Sequence, residues 1–237
     1  MKKKKNKVKE YLPLYLMMLP GLLYLLINNY LPMFGITIAF KKLNFREGIW
    51  GSPWCGFDNF KFLFASSDAW IIIRNTVGYN LVFIVLGTVV AIFVAISLNM
   101  VRVKRMQKFY QTVILIPHLI SYVIVSYIVY AFFGQDNGMI NNSLLRALGI
   151  EPVPWYTRAS YWPYILVATQ LWKTFGYNSI IYFATIVGID QTYYEAAIVD
   201  GATWWKQVRF ITLPMLKPVI VTLTLLSIGR IFYSDFG

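Results

Sequence analysis

Residues 195–218 read EAAIVDGATWWKQVRFITLPMLKP, a polar stretch interrupted by glycine that lies between two apolar runs. Each of those runs is long enough to cross a bilayer. Thr192 and Glu195 stand three residues apart, the spacing at which threonine and glutamate side chains bond each other's free amides at a helix start. A short helix is therefore predicted to begin near Tyr193. It is predicted to stop at Gly201, because glycine readily takes the left-handed conformation at a helix end.

A second helix is predicted to start near Thr203, directly after that turn. It carries Trp204, Val208 and Ile211 on one face at helical spacing. Pro214 then marks the entry into the next apolar run. The two helices and the turn are predicted to form an elbow at the membrane surface, small and apolar where it would meet a partner.

This string, taken as 192–218, resembles the EAA loop of binding-protein-dependent ABC importers, the permease element that docks into a groove on the cytoplasmic ATPase. A helix cap and a glycine turn explain single residues of it but not the ordered set. The resemblance implies an incomplete MetI-like ABC permease transmembrane domain over 70–237, coupled to its ATPase through this loop. The residues that match the family pattern are Glu195, Ala196, Ala197, Asp200, Gly201, Ala202, Leu213 and Pro214.

Composition indicates an all-α integral membrane protein. Of 237 residues, 58% are hydrophobic and 14% are charged, and the mean hydropathy is +0.56. Five apolar windows are predicted to be transmembrane helices: Leu12–Ile38, Thr76–Leu98, Thr112–Phe133, Pro163–Ile189 and Ile211–Phe232. The family resemblance implies a sixth helix after these five, so we expect the sequence to be incomplete. The alternative is a natural five-span protein, whose carboxyl terminus would lie outside.

The amino-terminal part is predicted to be a basic tail (1–11), followed by a first transmembrane helix and an extracellular loop (12–69). The first apolar window has no small-residue cleavage site, so we interpret it as a retained anchor rather than a signal peptide. Lysine and arginine beside spans favour the cytoplasm, which places the amino terminus and the EAA-like loop inside a multi-pass protein of the cytoplasmic membrane. The net charge of +12 is then a matter of topology and attraction to membrane lipid, and it requires no nucleic-acid partner.

Weaker motifs resemble the carbohydrate branch of these permeases, most of all the LplB-type polysaccharide and oligosaccharide subgroup. Three of them also have a local explanation, with Asn75 and Thr76 as a cap of the second span, Pro117 as a kink of the third and Asn141 as a loop turn. The motifs are Phe57-Asp58-Asn59-Phe60, Arg74-Asn75-Thr76, Ile116-Pro117 with Ser121, Gly138-Met139-Ile140-Asn141 and Trp155.

The resemblance implies ATP-driven import of an oligo- or polysaccharide-derived carbohydrate. The implied partners are a related second permease, a pair of cytoplasmic ABC ATPases and an extracellular solute-binding protein. Two alternatives stay open: an importer of a peptide, amino acid or ion in the same superfamily, and an ion-coupled carrier.

The fourth window carries a polar stripe at spacings of three and four residues, and a charge there is costly unless it faces water or a partner. Sugars present hydroxyls to polar groups and apolar faces to aromatic rings. The candidates for the solute pathway are Gln170, Lys173, Thr174, Tyr177, Asn178 and, in the fifth window, Arg230. A polar clamp between helices is the alternative for the stripe. Pairing with Asp235, or extension to the bilayer surface, is the alternative for Arg230.

The sequence offers no catalytic site. A single histidine, His118, and a single cysteine, Cys55, make neither a metal cluster nor a disulfide, and no GxxxxGK[ST] phosphate loop is present. We therefore predict no catalytic residue, metal or cofactor on this chain, with ATP and magnesium bound by the partner ATPase.

Overall fold

The computed structural model describes residues 7–233, and helices account for most of that range. The predicted all-α fold is confirmed. Lys2 to Lys5 of the basic tail, and Asp235, lie outside the described residues. The α-helices within the described range are α1 (Lys7–Leu25), α2 (Leu31–Met33), α3 (Gly48–Gly51), α4 (Asp58–Ala65), α5 (Ser67–Met100), α6 (Lys104–Leu119), α7 (Tyr122–Phe133), α8 (Trp162–Val187), α9 (Gln191–Val199), α10 (Trp204–Gln207) and α11 (Leu213–Gly229). The π-helical segments are Leu26–Tyr30, Ile140–Leu145 and Val208–Thr212, and the 3₁₀ segments are Phe34–Phe40 and Ala159–Tyr161.

Three helical segments of the described range are long and apolar enough to cross a membrane: Tyr11–Phe40, Ser67–Met100 and Trp204–Gly229. Helices α6 and α7 make a fourth only if the two are taken together as one broken span. Helix α8 has 26 residues but is not among these segments, because its polar stripe lowers its mean hydropathy. The count of five spans therefore stays a prediction.

The third apolar window, Thr112–Phe133, is not the single helix that was predicted. Helices α6 and α7 meet at 95°, and Ile120 and Ser121 between them have extended backbones. The Ser121 hydroxyl accepts the first hydrogen bond of α7, from the Ile124 amide at 3.4 Å. Pro117 lies inside α6, one turn before the break. The helix therefore does not bend at the proline but ends shortly after it.

Two further boundaries differ from the sequence interpretation. Helix α5 begins at Ser67, with Asp68 in its first turn, where a carboxylate favours the positive end of the helix dipole. Asn75 and Thr76 therefore lie inside α5, and their interpretation as its cap is wrong. At the other end of the chain α11 stops at Gly229, and Arg230 is its C-cap rather than part of a span.

The chain divides into two compact units, with the boundary between Ile73 and Arg74 inside α5. In the first unit the Asn59 side-chain amide donates to the carbonyls of Ala39, at 2.9 Å, and Lys41, at 3.0 Å. Asn59, within the Phe57–Phe60 motif, thus holds the chain that follows the first helical segment in place. In the second unit α5, α8 and α11 share a core of Ala91, Ala95, Tyr182, Ile186 and Leu216.

Asn141 is a buried hydrogen-bonding centre and not the loop turn that was considered, since it lies in a π-helical segment. The residue is 3% exposed. Its oxygen accepts from the Val153 amide at 3.2 Å and from the Trp155 indole at 2.8 Å. Its nitrogen donates to the carbonyls of Gln135 at 3.2 Å and Val153 at 3.0 Å. One side chain therefore holds together the connection between α7 and α8.

Asn141→Ala is expected to destabilise the protein by roughly 2–4 kcal/mol, because four hydrogen bonds are lost and buried donors are left unpaired. The measurement is the thermal unfolding midpoint of the purified protein in detergent. Asn142→Ala is the matched control, because Asn142 is exposed and its side chain makes one bond, to the Asp136 carbonyl. Equal midpoints for the two variants would contradict the role of Asn141.

Candidate coupling elbow and solute cavity

Helix α9, the turn after it and the helix that starts at Trp204 form the predicted helix–turn–helix, with one correction at its start. We call α9 and its turn the elbow. The helix begins at Gln191, and its cap is Asp190, whose carboxylate accepts from the Thr192 amide at 3.0 Å. This bond holds the pKa of the Asp190 carboxyl below its usual range. The predicted reciprocal cap between Thr192 and Glu195 is wrong. An aspartate directly before the helix satisfies the free amide first.

Gly201 ends the elbow helix in the predicted way. Its φ is +72°, in the left-handed region. The Ala202 amide donates to the Ala197 carbonyl at 2.8 Å, and the Gly201 amide donates to the Ile198 carbonyl at 3.0 Å. This pair of bonds is the Schellman arrangement, which satisfies carbonyls at the end of a helix. The predicted glycine stop is confirmed.

The elbow is fastened to the helix that follows. The Tyr194 and Thr212 hydroxyls lie 2.9 Å apart, and the Gln207 amide donates to the Ala202 carbonyl at 3.2 Å. The exposed surface of α9 is apolar at its end, where Ile198 is 62% exposed and Val199 is 87% exposed. The elbow is therefore hydrogen-bonded to a long helix, and it keeps an exposed apolar surface.

Leu213 and Pro214 lie within a continuous helix and not at its entry, since the chain is helical from Trp204 to Gly229. Proline has no amide hydrogen, so an α-helix cannot pass it without losing a bond. The π-helical turn Val208–Thr212 lies directly before it, and the Leu213 amide bonds the Val208 carbonyl five residues back. The widened turn lets the helix run from the elbow into the apolar run without a break.

The structure brings five of the six pathway candidates together. A cavity of about 410 Å³ is formed by the middle of α5, the middle of α8 and the end of α11. Among the described residues that line it, Arg230 is the charged one. The candidates on its wall are Gln170, Thr174, Tyr177, Asn178 and Arg230.

Lys173, the sixth candidate, does not line this cavity. The residue is 5% exposed, and its amino group reaches the break between α6 and α7. For this residue the arrangement observed is a polar clamp between helices, the alternative interpretation of the stripe.

Helix α5 also contributes to the cavity, which was not predicted from the sequence. Asn80 and Thr88 line the cavity, and Asn80 also donates to the Ile231 carbonyl, at 3.3 Å, just after α11. They are eight residues apart, so they lie on one helix face. Polar residues at that spacing in an otherwise apolar span were the available signal.

The chain belongs to the family of binding-protein-dependent transport system inner membrane components, whose sequence model matches residues 61–234. It is therefore a membrane component of a transport system, and the predicted MetI-like permease fold is confirmed.

Several relatives fit the predicted subgroup. Protein LplB of Bacillus subtilis (strain 168) is 38% identical over 223 residues, which are 94% of this chain and 70% of that protein. The polygalacturonan/rhamnogalacturonan transport system permease protein YteP of the same strain is 38% identical over 216 residues, 91% of this chain and 67% of that protein.

Solved structures of bacterial alginate transporters have the same fold. One, an ABC transporter involved in import of the acidic polysaccharide alginate, superposes with a TM-score of 0.85 at 36% identity, over 95% of this chain and 75% of that one. Another, at 34% identity over 97% of this chain and 76% of that one, is in complex with an alginate pentasaccharide-bound periplasmic protein, and its TM-score is also 0.85.

Proposed function

We propose that this chain is the permease subunit of an ATP-driven importer that carries an oligo- or polysaccharide-derived carbohydrate across the cytoplasmic membrane. The observation that carries the proposal is the cavity. Side chains from three helices place amide, hydroxyl and guanidinium groups beside the rings of Tyr177 and Tyr182, a set that suits sugar hydroxyls and sugar faces. The relatives named for polysaccharide transport support the same substrate class.

The mechanism follows from the placement of elbow and cavity on the same helices. The elbow lies between α8 and the helix Trp204–Gly229. On both helices the cavity residues lie away from the end that joins the elbow. A displacement of the elbow by an ATPase moves these helices through the packed contacts of Tyr182, Ile186 and Leu216. Packed interfaces switch between discrete arrangements rather than deforming smoothly, so a small movement at the elbow opens or closes the cavity.

The proposal includes the partners expected from the family resemblance. The elbow face with Ala196 and Ala197 receives one of two ABC ATPases, which bind ATP and magnesium. A related second permease covers apolar side chains that α5 and α11 leave exposed, such as Phe93 and Leu225. An extracellular solute-binding protein delivers the sugar, and membrane lipid surrounds the remaining helix faces.

The test is reconstitution of the protein with its ATPase and permease partners in lipid discs, followed by ATP hydrolysis with a sugar-loaded binding protein. Stimulated hydrolysis supports the proposal. A binding protein that takes a peptide, amino acid or ion would move the chain to another branch of the superfamily. Uptake in vesicles that lack any ATPase would establish the ion-coupled carrier instead.

Asn178→Leu is expected to lower sugar uptake about tenfold, because the cavity loses polar contacts worth about 1 kcal/mol each. Stimulation of ATP hydrolysis should persist, since the elbow is unchanged. Thr185→Val on the same helix is the control, because Thr185 does not line the cavity. Full uptake by Asn178→Leu, or equal losses in both variants, would argue against the cavity as the pathway.

A further inference from the structure

Lys173 binds the break between α6 and α7. Its amino group donates to the carbonyls of Pro117 at 3.5 Å and His118 at 3.2 Å, and to the carbonyl of Ile120. It also lies 4.5 Å from the centre of the Tyr122 ring, at the start of α7. A lysine ammonium has three N–H donors, and here three carbonyls receive them.

These carbonyls explain why a buried lysine is tolerated. Carbonyls in the last turn of a helix lack the amide that would bond them four residues on, and the helix dipole is negative there. At this helix end the Pro117 carbonyl also accepts from the Ile120 amide, at 3.3 Å. In an apolar surrounding such carbonyls are costly to leave unpaired, and so is a lysine that faces nothing. Lys173 and the end of α6 satisfy each other, and the Tyr122 ring adds a cation–π contact.

The same break contacts two residues of the cavity wall. The His118 ring stacks on the Tyr177 ring with centres 4.7 Å apart. The Tyr122 hydroxyl donates to the Gln170 side-chain oxygen at 3.4 Å. Gln170 lies three residues before Lys173 and Tyr177 lies four after it, so all three share one stripe of α8. The break thus contacts three successive turns of α8, through Gln170, Lys173 and Tyr177.

We infer that Lys173 is a positioning residue for the cavity. By binding the carbonyls at the break, it fixes the 95° angle between α6 and α7 and holds His118 and Tyr122 against Tyr177 and Gln170. Its effect on transport rests on the proposed function, whereas its effect on the break does not. The lysine itself does not contact the solute.

The test measures the angle at the break and transport in the same variants. The full-length protein, in a Cys55→Ser background, carries spin labels at Val113→Cys in α6 and Tyr127→Cys in α7, both exposed positions. It is reconstituted with its partner subunits in lipid discs for distance measurement by pulsed electron paramagnetic resonance. Uptake is measured without labels in vesicles with the sugar-loaded binding protein.

Lys173→Met, which keeps the length of the side chain and removes its donors, is expected to shift or broaden the distance between the labels. Uptake is expected to fall about tenfold or more, because three hydrogen bonds are lost together. Lys173→Gln keeps two N–H donors and should give smaller changes in both, and it is the variant measured if Lys173→Met does not accumulate. Lys108→Met, at an exposed site on α6, should leave both unchanged.

A double variant identifies the route of the effect. Tyr122→Phe removes the hydroxyl that reaches Gln170, and combined with Lys173→Met it should lower uptake by less than the product of the two single losses. Multiplicative losses would overturn the inference.

An unchanged label distance would also overturn it, and uptake lost at an unchanged distance would mean that Lys173 affects transport by a route other than the break. A shifted distance with full uptake would equally overturn the role in transport. If the unaltered protein shows no ATP-dependent sugar uptake, the proposed function fails, and the label distances still report on the break.

Discussion

Gly201→Val is expected to impair coupling strongly while leaving the protein folded. The φ of +72° at Gly201 costs an ordinary residue about 1–2 kcal/mol, and a β-branched residue is a stronger outlier there. The helix end must then unwind, which breaks the bonds from Ala202 to Ala197 and from Gly201 to Ile198. The elbow then loses the fixed shape that an ATPase would bind. Sugar uptake and stimulated ATP hydrolysis in lipid discs should both fall by about tenfold or more.

Two control variants separate backbone strain from other causes. A Cβ at Gly201 would meet nothing within 4 Å, so steric crowding is not the cause of the loss. Gly201→Asn should retain most activity, because asparagine tolerates the left-handed conformation. Gly48→Val has nearly the same strain, at φ +70°, but lies outside the elbow and should keep the stimulation of hydrolysis. Full coupling in Gly201→Val would remove the elbow from the mechanism.

The elbow could be predicted from sequence because its structure is local. A glycine after a short helix specifies its own turn, and Gly201 does so within six residues. The start of the same helix was harder. Asp190 and Thr192 are both residue types that cap helices. Asp190 is identified as the cap only once it is known that α8 ends at Val187 and that α9 begins at Gln191.

The cavity was predicted in part, because helical spacing determines which residues share a face but not what that face meets. The polar residues from Gln170 to Asn178 do share one side of α8, but α6 covers part of that side. Lys173 lies under the end of α6, while Thr174 and Asn178 remain on the cavity wall. Such a division depends on contact between distant parts of the chain. In the sequence only Pro117-His118 indicates this contact. The proline predicts a bend there, but it does not predict that Lys173 of α8 binds the bend.

Gly176 shows the same limit most clearly, since nothing in its sequence surroundings distinguishes it from other glycines in apolar helices. In the structure α6 lies directly against it. A Cβ at Gly176 would lie 2.6 Å from the Ile114 carbonyl carbon and would overlap the Ile114 oxygen. Close approach of backbones at a small residue is a common way for helices to associate in membranes. Gly176 therefore permits the contact between α6 and α8 on which the Lys173 clamp depends.

Gly176→Val is expected to prevent folding, and Gly176→Ala to destabilise by about 4 kcal/mol or more, a size reserved for severe disruptions of packing. The atoms in the way belong to backbone, so α6 must leave α8, and the bonds of Lys173 to Pro117 and His118 must break with it. The measurement is the yield of monodisperse protein on size-exclusion chromatography and its unfolding midpoint. Gly78→Ala in α5 is the control, because a Cβ there meets nothing within 4 Å and alanine favours a helix.

The obstacle at Gly176 also predicts which second substitution will fail to help. Trimming the neighbouring side chain by Ile114→Ala leaves the carbonyl in place, so the double variant with Gly176→Ala should be no more stable than Gly176→Ala alone. Restored folding in the double variant would mean that side chains, and not backbones, set the distance between α6 and α8. The clamp at Lys173 would then lose its structural basis, because its reach to the end of α6 depends on that distance.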